Sequence, residues 1–389
     1  MGAGVPNLPP PDFVNDAAGL DPNKILAEMI EAFEAATGRK LQPAQVERLL
    51  INLYAYRESL VRNAIQYAAE QNLLAFARFP MIDYLGGLLG VTRLPAQAAA
   101  TILKFTLQQA LTVNLTIAAG TQAGTTDGLI VFATDADLVI VAGQTSSSIS
   151  ATAQPAGAEG NGYIAGQVSV QLDPNVHIKS ASNTTVTSGG SAPETDDHLR
   201  TRIQAAPNEF SVAGPAGAYR FFALSADPTI IDALVVSPAP GEVRVHVLTG
   251  PITVQPAPSP NAQGVASAAL LAKVQQALNA DEVRPLTDTV AALGVSEVDY
   301  VIAGTVTIYA DADPSATMAA ALAAARQFAV NLASRIQRDI VPSEIVAALS
   351  VPGVYDVALT APGLRQLLAG EWANCTAITL GQAVASQHS

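Results

Sequence analysis

Acid–base or nucleophilic chemistry in this 389-residue chain would have to come from a short list: His177, His198, His246, His388 and the single cysteine, Cys375. A hydrolase needs a nucleophile, a base and an orienting group, or a pair of positioned carboxylates. The spacing of these residues supplies neither. His388 is the penultimate residue, and His177 and His246 lie in β-rich runs, where a half-exposed cross-strand histidine is the ordinary role. Cys375 follows Trp372 closely with no dyad signature around it and reads as a small buried hydrophobe; alone, it excludes an intrachain disulfide framework and a CxxC zinc site. Asp196, Asp197 and His198 form the densest polar cluster. Adjacent helix positions point about 100° apart, so the three cannot converge on one ion, and the acids read instead as a negatively charged first turn. Gly157, Gly160 and Gly162 resemble a fragment of a phosphate loop, but no Lys-Ser/Thr follows and the next segment is strand-like, so they read as turn glycines. The expectation is no catalytic residue, no metal and no cofactor.

Composition points toward assembly. Hydrophobic residues make up 49% and charged residues 14%, which excludes a disordered chain and leaves few charges to cover a monomer's surface. A net charge of −13 argues against wrapping nucleic acid, because phosphate binding relies on Lys and Arg to neutralise the backbone. The first 20 residues, with Pro6, Pro9, Pro10 and Pro11 and no basic or apolar region of a secretory signal, read as a flexible arm. Nowhere does an apolar run reach the roughly 18 residues that insertion into a membrane would need.

The elements follow from periodicity. Asp21 and Pro22 sit as N-cap and first-turn proline of a helix ended by Gly38. A longer helix is expected from near Pro43 to about residue 79. Its stripe of Val46, Leu49, Leu53, Tyr56, Leu60, Ala64 and Tyr67 is widened by Leu50, Val61 and Ile65 beyond what one neighbour would cover. From residue 91 the texture turns to Thr, Val, Ile and Gly with period-two alternation and recurrent turn glycines, predicting a β sandwich or small barrel up to about residue 190. A helix opens after Thr195, another covers 215–225, strands cover 230–236 and 243–248, and a proline-rich connection at 251–264 precedes an Ala-rich helix. Residues 223–238 weakly parallel 348–362, suggesting two related α+β units. The predicted fold class is multidomain α+β: an arm at 1–20, a helical region at 21–90, a β-rich domain at 91–190, and α+β domains at 191–295 and 296–389.

Several segments, read in order, resemble the baseplate J family of contractile-tailed phages and related injection machines. Residues 83–99 (Asp-Tyr-Leu-Gly-Gly-Leu-Leu-Gly-Val-Thr-Arg-Leu-Pro-Ala-Gln-Ala-Ala) are the most specific, similar to the family's stretch where a helix ends at a glycine and an arginine and proline lead into the β module. Residues 117–121, 132–134 and 157–161 resemble its β domain, 194–203 its acidic-to-arginine helix, 214–220 the following turn and helix, and 240–247 the next strand. The recurring residues are glycines, prolines and caps, which specify shape. The resemblance implies a structural wedge subunit of a tail baseplate, not an enzyme, located in the virion tail. It implies as partners a second copy of the chain, a smaller wedge protein, neighbouring wedges and the central hub or spike proteins. The helix bearing Val46, Leu49, Leu50, Leu53, Tyr56, Leu60, Val61 and Ile65 would be the wedge-core contact, and the α+β units the ring. Residues 91–95 and 251–264 are the expected hinges. Arg93, Arg200 and Arg202 are read either as ion pairs between modules or as local surface pairs. A carbohydrate-binding or adhesin module at 91–190, with Phe105, Phe132 and Tyr163 as its aromatics, and a cell-wall hydrolase are the alternatives.

Overall fold

The computed structural model of the chain describes residues 11–14, 21–208, 216–250, 264–280, 283–285 and 287–385. It divides into two compact units, Met1–Arg93 with Asp196–Pro207, and Leu94–Thr195 with Asn208–Ser389.

The first unit is helical. Helix α1 (Pro22–Thr37) starts where Asp21 accepts a hydrogen bond from the Asn23 N–H, and it ends at Gly38, whose φ of 68° lets its N–H reach the Glu34 carbonyl. Helix α2 (Val46–Glu70) begins and ends inside the expected span. Its early stop is a correction with a local cause: Asn72 turns its side-chain amide back onto the Ala68 carbonyl, and the Gln71 side chain accepts the Arg78 N–H, closing a turn where the helix would have continued. Helix α3 (Met81–Gly87) follows. Helix α4 (Asp196–Ala205) starts directly after Thr195 as expected, yet it belongs with these helices and not with the segment that follows it in sequence. Gly86 permits this. A Cβ there would lie 2.7 Å from the Val91 carbonyl oxygen and 3.1 Å from the Ile203 side chain, so only glycine lets α4 sit so close.

The second unit opens with a nearly closed antiparallel sheet made of β1 (Ala100–Leu107), β3 (Gln122–Thr125), β4 (Val131–Thr134), β6 (Ser146–Gln154), β7 (Val168–Gln171) and β8 (Ile178–Asn183), in the order β7-β3-β4-β6-β1-β8. A small ribbon of β2 (Leu115–Ile117) and β5 (Leu138–Ile140) accompanies it. Alternation along β1 buries Leu103, Phe105 and Leu107 in a core with Ile117, Phe132 and Ile140. Asn183 bridges the gap between the end strands. Fully buried, it accepts from the Gly166 and Val168 N–H groups and donates to the Ile164 and Thr185 carbonyls, so a side chain replaces the missing ladder.

Two α+β units complete the chain. Helix α5 (Ala216–Ala226), β9 (Ile230–Ala239), β10 (Glu242–Thr249), α6 (Ala268–Leu278) and β11 (Thr289–Gly294) form one, with β10 antiparallel to β9 and parallel to β11. Strand β12 (Ser296–Ile308), α7 (Pro314–Ala333), α8 (Pro342–Leu349), β13 (Val354–Ala361) and β14 (Glu371–Val384) form the other, with β12 antiparallel to β13 and parallel to β14. The weak sequence repeat corresponds to α5–β9 and α8–β13, each a helix leading into the antiparallel edge strand. The central strand, however, follows that edge in the first unit and precedes it in the second, so the likeness is of the local motif and not of the whole connectivity. Trp372 locks the two together. Fully buried among Leu248, Val295, Ala333 and Ile336, it donates its indole N–H to the Ala333 carbonyl at 2.7 Å, while Gly264 (φ 91°) leaves room for the ring. Asp232 adds a polar link, accepting from Arg220 at 2.7 Å and from the Ile336 N–H at 3.0 Å.

Trp372→Ala is therefore expected to destabilise the second unit by roughly 3–5 kcal/mol, and Trp372→Phe by about 1–3 kcal/mol because the buried Ala333 carbonyl loses its donor. Urea unfolding followed by circular dichroism measures both; an unchanged midpoint for Trp372→Ala would contradict the locking role.

Candidate functional site

Among the described residues, those singled out for chemistry form no catalytic or metal-binding set. His177 is exposed in the turn before β8, and His246 stands on β10 with its ring against Gly370 and its Nδ1 buried. His388 lies outside the described residues, as do most of the arm at 1–20 and nearly all of the expected hinge at 251–264. Cys375 is buried on β14, and burial raises its thiol pKa, which works against thiolate formation. Gly162 adopts a φ of 86° and Gly160 is buried against Ala99 and Ala153, both as turn and packing positions. Among the described residues no group of three or more His, Cys, Asp and Glu side chains could hold a metal ion, and no helix is long and apolar enough to cross a membrane.

What the first unit does present is an inverted helix. Of the 25 residues of α2, which packs against α1, the buried ones are Ala55 and Ser59. The large side chains point the other way. At about 100° per residue, Tyr56, Leu49, Leu60, Leu53, Val46, Leu50, Val61 and Ile65 fan over roughly half the helix circumference. All eight are exposed, Leu53 at 57% and Val46 at 68%. Tyr67, part of the expected stripe, extends the same surface, and so does Tyr54, which was not expected although it stands four residues after Leu50 and so shares its stripe. Gln66, toward the packed side, holds residues 11–14 by accepting the Phe13 N–H at 2.9 Å and donating to the Pro11 carbonyl at 2.7 Å. A second exposed apolar group, Phe79, Met81, Tyr84 and Leu88, surrounds α3 and was also missed; its i, i+3, i+7 spacing was the available signal.

Behind that group stands an arginine hub within the first unit. Arg93 donates to Asp83 at 2.6 Å and to Asp196 at 2.7 Å, and lies 5.6 Å over the Phe79 ring. Arg200 bonds the Leu74 and Ala77 carbonyls and pairs with Asp197, and buried Arg202 reaches the Thr92 carbonyl. These are long-range ties of α4 to α3 and its flanks: by the expected boundaries they join separate modules, and all of them fall within one compact unit. Burial opposes charge on Asp196, but the Arg93 hydrogen bond, the Phe79 N–H and the charges of Arg93 and Arg200 outweigh it and hold its carboxyl below the usual range. For Arg93, burial alone would lower the guanidinium pKa, yet Asp83 and Asp196 raise it.

With this geometry in hand, the comparisons with known proteins are decisive. Four models of one family match in chain order: the Baseplate J-like N-terminal domain over residues 47–100, the barrel domain over 102–190, the central domain over 211–294 and the C-terminal domain over 300–381. The chain belongs to the baseplate J family. Baseplate protein J of Escherichia phage P2 is 37% identical over 185 residues, a match covering 48% of this chain and 58% of that protein. A chain of the anti-feeding prophage baseplate, solved by six-fold symmetrised cryo-EM, overlays 92% of this chain and 90% of its own at a TM-score of 0.45 and 15% identity, a likeness too distant to carry an argument.

The hub predicts a pH signature. A carboxyl whose pKa is lower folded than unfolded adds stability above its unfolded value, and that contribution is lost as pH falls through the folded value. The stability gap between the natural protein and Arg93→Ala, roughly 1–3 kcal/mol, should thus hold from pH 7 to 5 and shrink below about pH 4. Urea titrations at each pH test this; a gap independent of pH would remove Asp196 as a partner that matters.

Proposed function

We propose that this chain is a non-enzymatic structural wedge subunit of a contractile-tail baseplate, in which the exposed face of α2 is the wedge-core contact. Family membership supports the baseplate setting, and the outward apolar face of α2 is the observation that carries the contact. A second copy of the chain and a smaller wedge protein pack helices onto Val46, Leu49, Leu50, Leu53, Tyr56, Leu60, Val61 and Ile65, burying the arc that α1 leaves open. The barrel acts as spacer, and the two α+β units contact neighbouring wedges and the central hub or spike.

The working step is a change of contacts. Receptor engagement elsewhere in the tail biases the ring between two packings, the ring opens and the sheath contracts. Residues 91–95 are the proposed hinge, because the chain passes from one compact unit to the other after Arg93 and returns before Asp196.

Leu53→Glu with Tyr56→Glu places two charges where partner helices must close. Since both sites are exposed in the free chain, its unfolding midpoint should move by no more than about 0.5 kcal/mol in stability. Co-purification with the smaller wedge protein and incorporation into tails should be lost. A variant that still forms tails would remove α2 from the wedge core.

A further inference from the structure

Where α2 ends beside the start of α4, the first unit holds a groove of about 590 Å³, with Phe76 in its lining and Tyr67 at its edge. Its opposite charges are spent on fixed partners: Arg200 pairs with Asp197, and Asp196 with Arg93. What it has to spare are hydrogen-bond donors. Gln71 is only 8% exposed, and its side-chain oxygen accepts the Arg78 N–H, but among the described residues its amide nitrogen meets no acceptor. The exposed Arg78 guanidinium meets none there either. A nearly buried amide N–H left unmet is costly, so the groove suits an occupant rich in carbonyls and poor in N–H groups.

Such a segment belongs to the same chain. Residues 1–10, Met-Gly-Ala-Gly-Val-Pro-Asn-Leu-Pro-Pro, contain no charged side chain, and Pro6, Pro9 and Pro10 each offer a carbonyl without an N–H. The residue that follows them is held at the groove. The Gln66 Nε2 that donates to the Pro11 carbonyl at 2.7 Å donates also to Glu70, a lining residue, at 2.7 Å. The spacing continues the pattern. Gln71 stands five residues after Gln66, about 7.5 Å further along the helix, and a polyproline II segment advances about 3.1 Å per residue. Running along α2 from Pro11, the carbonyl that comes level with Gln71 is that of Pro9, two residues back. Pro6 and Pro9, one turn apart in that conformation, share a face that can lie on an aromatic ring. We propose that residues 5–10 dock in this groove as a polyproline II segment, with the Pro9 carbonyl on the Gln71 amide and Pro6 and Pro9 against Phe76. The arm then ties the end of α2 to the start of α4 within one chain, and this does not rest on the wedge-core contact.

The test is electron spin resonance of the full chain carrying a nitroxide on the Asn7→Cys variant; Cys375 is buried and stays unlabelled. Docking predicts an immobile spectral component whose share is the same at all protein concentrations. Pro6→Gly with Pro9→Gly should weaken docking roughly tenfold, by freeing the undocked segment and removing the ring contacts. Arg78→Glu, at an exposed position, should reduce the immobile component too, because it sets an acceptor against carbonyls, and its circular dichroism melting curve should match that of the natural side chain. A single fast component in the natural background, or an immobile component that neither variant reduces, would overturn the proposal. So would an immobile share that rises with protein concentration, which assigns the groove to the arm of a second copy, or one that appears only when the smaller wedge protein is added, which assigns the contact to that partner.

Discussion

A helix in water must hide its large apolar side chains, and α2 hides almost none of its own. Its buried residues are Ala55 and Ser59, small side chains that bury little area, while its leucines, valines and tyrosines are exposed. Helices of this length draw most of their stability from packing an apolar face. On the proposed reading, the first unit is built around a surface that partner chains cover, and its remaining features act as a mount that presents that surface.

The mount is held from a distance in sequence. Helix α4, more than a hundred residues downstream, returns to α3 because Gly86 lets Ile203 approach and because Arg93 joins Asp83 to Asp196. Replacing a hydration shell around these charges with fixed partners is tolerable only when each is well satisfied, and Asp196 also accepts the Phe79 N–H. The second unit uses the same economy of polar groups at closure points: Asn183 between the barrel's end strands and Asp232 between the α+β units.

Much of this was legible from the sequence. Period-two alternation at 112–117 and 138–141 anticipated the β2 and β5 ribbon and, with the turn glycines, a β-rich module, the Asp21-Pro22 and Gly38 signals bounded α1, and the over-wide stripe on α2 anticipated side chains that the fold leaves exposed. Three things were not legible. The stop of α2 at Glu70 depends on Asn72 and Gln71 side chains capturing backbone groups, which competes with helix continuation at no cost to the apolar pattern. The return of α4 depends on charge pairs spanning 103 residues, invisible to any local reading. The different strand order of the two α+β units depends on where the crossover falls, which a short repeat at 223–238 and 348–362 cannot report.

The central claim is that assembly covers the outward face of α2. Hydroxyl-radical footprinting reads it directly, because Tyr54, Tyr56 and Tyr67 lie on that face and react when solvent reaches them. In the free chain all three should be oxidised readily; in assembled tails their rates should fall about tenfold or more, as expected for side chains in the desolvated centre of an interface. Equal oxidation in the free and assembled states would contradict the account, leaving α2 exposed in the structure it was supposed to hold together.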